Sequence, residues 1–124
     1  MAKRFTDTKI WEEDWFLEMP KDYRMFWFYM KDKCNHAGIF RVNVKIFNAT
    51  FDANIDCELA FELYNKGKQR LRKLGNGVWL IEDFFKFQYG QNFNTNNRVH
   101  KSVEDEYIKY EVKLTSIRGL KVVK

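Results

Sequence analysis

Apolar residues recur at helical spacing from Pro20 to about Cys34. Tyr23, Phe26, Trp27, Met30 and Cys34 form one stripe, and Phe28 and Tyr29 widen it, so this helix is expected to be buried on more than one side. Pro20 suits its first turn, where a missing N–H costs little. Asn35-His36-Ala37-Gly38 ends it, with Gly38 or Asn35 suited to a left-handed exit. Upstream, residues 1–9 are polar, and Thr8 is placed to cap a helix running through Leu17 with Ile10, Trp11, Trp15 and Phe16 on its apolar side. Downstream, Ile39-Phe40-Arg41-Val42 alternates like a short strand. Asn43 then caps a two-turn helix, Val44 to about Phe51. Asp56 caps another, Cys57 to Tyr64, with Ile55, Leu59, Ala60 and Leu63 expected to face inward.

The stretch KGKQRLRKLGNGVWLI, residues 66–81, changes character at Gly75-Asn76-Gly77. A basic strand enters and an apolar strand leaves, and glycines beside an asparagine supply the positive backbone angles of a tight hairpin. After Glu82-Asp83, FFKFQYG reads either as a short helix or as an irregular apolar segment. A polar loop over residues 91–97 leads to a helix capped by Asn97 and running from Arg98 to about Val112. Leu114–Lys124 reads as a frayed or extended tail. The pattern predicts an α+β chain: a winged helix-turn-helix with extra N- and C-terminal helices in residues 1–113, then a basic flexible tail over 114–124. The helix-turn-helix bend is expected near Asp52–Ile55.

Composition narrows the class. The chain has 124 residues, 45% of them hydrophobic and 18% aromatic, which is enough to build one compact core. Net charge is +5, from 22 bases against 17 acids. Its distribution says more than its size. Five of the eight residues from Lys66 to Lys73 are basic, whereas Glu12-Glu13-Asp14 and Glu104-Asp105-Glu106 are acidic, so one positive face is expected. Two cysteines, Cys34 and Cys57, make no disulfide framework and fit a reducing cytoplasm. No secretory signal is expected, nor any run near the ~20 apolar residues that cross a bilayer.

Chemistry concentrates in the basic arm. Lys66, Lys68, Arg70, Arg72 and Lys73, with Asn76 at the tip, are of a type to neutralise phosphates and release counterions. The same residues would also suit a solvated sheet edge guarded by charge. A second candidate is Arg98 with Lys101, three apart on one helix face near His100, beside amides that favour an anion; the plainer reading packs Val99 and Val103 inward. CELAFELYNKG, in the position of a recognition helix, carries Glu58 and Glu62, which oppose deep entry into a groove. The rings of Phe84, Phe85, Phe87, Tyr89 and Phe93 suit core packing better than base stacking, and the four tryptophans read the same way. Cys34, His36, Cys57 and His100 lack zinc spacing, and no P-loop, Gly-x-Ser-x-Gly or His-Glu-x-x-His occurs. The reading is non-enzymatic and needs no cofactor or metal.

KRFTDTKIWEEDWF, the Met19-Pro20 helix with FWFYM, NHAGIF, the hairpin, FQYG and NNRVHKSV follow one another over roughly residues 3–110. This ordered set resembles the N-terminal winged-helix module of phage and prophage replisome organisers, relatives of DnaD-like primosome proteins. The resemblance implies a DNA-associated role in starting replication, with DNA, single- or double-stranded, as partner and a replicative helicase or its loader as a second. Homo-oligomers fit the same reading. The alternative is a protein-interaction or oligomerisation module that uses the winged-helix shape without touching nucleic acid.

Overall fold

A computed structural model describes residues 3–123. A 3-10 helix, Thr8–Glu12, precedes α1 (Asp14–Leu17) and α2 (Lys21–Lys33). Next come β1 (Ile39–Arg41), α3 (Val44–Phe51), α4 (Cys57–Tyr64), β2 (Leu71–Gly75) and β3 (Val78–Ile81). α5 (Phe84–Tyr89), β4 (Asn92–Asn94), α6 (Arg98–Lys109), a 3-10 turn over Leu114–Ser116 and β5 (Lys121–Val123) follow. The main sheet is antiparallel in the order β1-β3-β2, and β4 pairs with β5 in parallel. The chain is α+β. Its central run of helix, strand, two helices and hairpin, with the first strand beside the last, has winged-helix order.

Local signals set most of these boundaries. The Asn43 side chain accepts the Ile46 N–H and the Asp56 side chain accepts the Leu59 N–H, so α3 and α4 begin where their caps dictate. Tyr23 fastens α2 to α4 at both ends: its hydroxyl accepts the Asp56 N–H at 2.9 Å, and its carbonyl accepts the Tyr64 hydroxyl at 2.6 Å. Burial pushes the Tyr64 hydroxyl pKa far up, so it remains a donor.

The sheet is covered on both faces, which is why Val78–Ile81 is apolar throughout. Side chains alternate across a strand. Phe40, Trp79, Ile81 and Leu71 join Phe16, Phe26 and Phe47 of the helical layer, while Ile39, Val78 and Leu80 join Phe85, Phe93, Val103 and Tyr107 on the other face. Phe16, Phe26 and Phe47 are fully buried, each such ring contributing about 1.5–3 kcal/mol. Between the layers, Gly38 turns with φ +78°, and a Cβ there would sit 2.5 Å from Phe84 Cβ.

Several expectations are corrected. Thr8–Leu17 is not one helix: Asp7, not Thr8, caps the 3-10 segment, and extended Glu13 separates it from α1. Pro20 stands at the cap position of α2 and Cys34 just past its end. The basic arm is strand only from Leu71 onward, so Lys66, Lys68 and Arg70 lie in the connection before it. Within the hairpin, Gly77 has positive φ and Gly75 does not; an irregularity between Lys73 and Gly75 makes the adjustment. Phe84–Tyr89 is helical, and α6 stops at Lys109. Residues 92–94 form a strand where a loop was expected. Residues 114–123 carry a 3-10 turn, buried Ile117 and β5 rather than only an extended run. Leu59 and Trp11, expected inside, are 41% and 55% exposed, and Val99, inward only on the plainer reading of α6, is 49% exposed. Lys124, in the expected tail, and residues 1–2, in the expected domain, lie outside the described residues.

Candidate nucleic-acid interface

Each cation of the Lys66–Lys73 arm has an internal partner. Lys66 meets Glu18 at 3.1 Å, Lys68 meets Asp83 at 3.0 Å, and Lys73 meets Glu58 at 3.0 Å while lying 4.7 Å from the centre of the Phe61 ring. Arg72 makes a forked contact with Glu82, 2.6 Å from Nε to Oε1 and 3.2 Å from Nη2 to Oε2. It also donates to the Ser116 hydroxyl and carbonyl. Arg70 stacks 3.9 Å from the Trp15 ring centre, and its Nη1 donates to the carbonyls of Tyr64, Lys66 and Lys68. Burial lowers the pKa of this guanidinium, with Glu13 and Asp83 opposing the shift. Four of the five cations are thus paired with carboxylates, and the fifth stacks on an indole.

These partnerships differ in strength. Lys66–Glu18 and Lys73–Glu58 are exposed pairs, worth about 0–1 kcal/mol, and a phosphate could displace them. The displaced carboxylates would remain nearby and repel it. Arg72 is of another kind, because Glu82 is 6% exposed and its charge relies on that fork. Burial works to raise the Asp83 carboxyl, but Lys68 and Arg118 outweigh it and hold the pKa below the ordinary range.

The remaining sequence candidates are scattered. Asn76 is exposed at the hairpin tip. Exposed Arg41 ends β1 beside the tip, where the Val42 N–H donates to the Gly77 carbonyl at 2.8 Å, and Lys45 is exposed in the first turn of α3. Neither Arg41 nor Lys45 has a carboxylate partner among the described residues. Arg98 is exposed at the start of α6, while Lys101 pairs with Glu104 at 3.5 Å. His100 does not join them as a cation. Its ring packs with Phe85, Tyr89 and Phe93, its Nδ1 accepts the Asn94 N–H at 2.9 Å, and burial lowers its pKa. Of the aromatic run, Phe84, Phe85 and Phe93 are core, Tyr89 is half-buried and Phe87 is 42% exposed.

The α3–α4 unit, which a winged helix would turn toward a groove, presents a different surface. It exposes Ile46, Phe51 and Leu59 together with Asp52, Glu58 and Glu62. A base-reading helix needs outward donors, and α4 carries carboxylates. The residues missed in the sequence are the partners of the arm. One was within reach: Arg72 registers with Leu80, so Glu82, two residues on, lies diagonally across on the same face.

Among the described residues, no three His, Cys, Asp or Glu side chains gather as a metal site, and no helix is long and apolar enough to cross a membrane. No protein-family model, curated protein or solved structure matches the chain.

Proposed function

We propose that this chain is a non-enzymatic winged-helix module of an assembly that starts DNA replication, of phage or prophage origin, and that it works there chiefly through protein contact. The replication setting is supported by the ordered residue set from KRFTDT to NNRVHKSV and by the winged-helix order of its elements. The preference for protein over DNA rests on one observation. The cations of the arm are occupied within the fold, while the α3–α4 unit offers Ile46, Phe51 and Leu59 among carboxylates. Apolar contact is insensitive to salt, whereas phosphate contact weakens steeply as salt rises.

The test is light scattering and DNA titration on one sample at two salt concentrations. Self-association that persists at high salt, and is lost in an Ile46→Lys, Leu59→Lys double variant, is the expected result. Tight DNA binding with a steep salt slope, abolished by replacing Lys66, Lys68 and Lys73 with Ala, would overturn it. Arg41, Lys45 and Asn76 favour a second reading, in which DNA docks at the hairpin tip. Under that reading, Arg41→Ala and Lys45→Ala reduce the salt slope and the arm variants do not.

A further inference from the structure

A cleft of about 190 Å³ opens between the N-terminal segment, α2 and α5, with Trp15, Trp27, Phe28, Phe84 and Phe87 among its walls. Such a space is below the roughly 300–1,000 Å³ of sites for larger ligands and matches a single ring with one substituent. Its charged groups are unequally satisfied. The Asp7 carboxylate accepts the Lys9 N–H, Glu13 accepts the Trp15 indole N–H, and Asp83 is held by Lys68 and Arg118. Lys31 makes no salt bridge among the described residues; its ammonium lies 4.7 Å from the centre of the Phe87 ring, and burial lowers its pKa against the opposing pull of the nearby Asp7. Arg70, on the same cleft, is taken up by the Trp15 ring and three backbone carbonyls. Of the cations on this cleft, Lys31 alone has no hydrogen-bonded or ion-paired partner among the described residues.

We propose that this cleft binds a small aromatic anion, its ring between the aromatic walls and its carboxylate on Lys31. The apolar walls take the ring out of water, and a desolvated ammonium gains most from an anion that arrives with its own apolar body. The inference does not depend on the proposed replication role.

The probe is phenylacetate, with phenylacetamide as its uncharged match, titrated into the full chain and followed by amide and indole N–H shifts in NMR. Saturable shifts at Trp15, Trp27 and Lys31 are expected for the acid, with a dissociation constant on the order of 1 mM for about ten non-hydrogen atoms. The amide should bind about tenfold more weakly, as loss of one charge-assisted contact implies. Lys31→Met should match that loss and Lys31→Arg should recover most of it. Should Lys31→Met fail to fold, Phe87→Ala, which alters a ring that is 42% exposed, is expected to weaken phenylacetate binding instead. Equal binding of acid and amide, no saturable shift at the three residues, or full affinity in Lys31→Met or Phe87→Ala would each overturn the proposal.

Discussion

The arm before and within β2 holds the densest positive charge in the chain, and the α3–α4 unit is its opposite in composition. In the folded molecule their availability is reversed. The arm's cations are held by Glu18, Glu58, Glu82, Asp83 and the Trp15 ring, whereas α3 and α4 expose Ile46, Phe51 and Leu59. Charge density in a sequence measures what a segment carries; pairing in the fold decides what it can offer a partner.

The largest expected effect would come from inside the arm. Arg72→Met strands the Glu82 carboxylate and should cost about 3–5 kcal/mol in urea denaturation. Adding Glu82→Gln should return most of that loss. A loss under about 1 kcal/mol would place Arg72 with the exposed pairs and break the contrast.

Next comes the open side. Asp56→Ala removes the α4 cap, which accepts the Leu59 N–H at 2.8 Å, and should lower stability by about 1 kcal/mol in thermal unfolding. The smallest effects return to the arm. Lys66→Ala and Lys73→Ala should each change stability by less than about 1 kcal/mol, since both pairs are open to water. Losses comparable to that of Arg72→Met would show the whole arm to be structural.

The sequence was most legible where signals are local. Asn43 and Asp56 marked the starts of α3 and α4, and Gly75-Asn76-Gly77 marked the hairpin. Legibility fell where the answer comes from distant chain. Lys66 meets Glu18 across 48 positions, and Arg72 meets Ser116 across 44. β4 has one buried residue, Phe93, between two exposed asparagines, and its parallel partner lies beyond α6, so its alternation was too short to announce a strand. Leu59 fits an inward helical stripe by spacing, but nothing in the described fold covers it fully. The candidate site followed the same division: its cations were visible in order along the chain, and of their carboxylates only Glu82 was within reach.

The contacts of Arg72 and Arg118 have a mechanical consequence. Arg72 reaches Ser116 while holding Glu82, and Arg118 reaches the Gln69 carbonyl while holding Asp83. The two guanidiniums act as a pair of rivets between the hairpin and the segment that follows α6. Tension that peels this segment outward would load both rivets and pass through them to Arg72 of β2, to Gln69 just before it and to Asp83 at the start of α5.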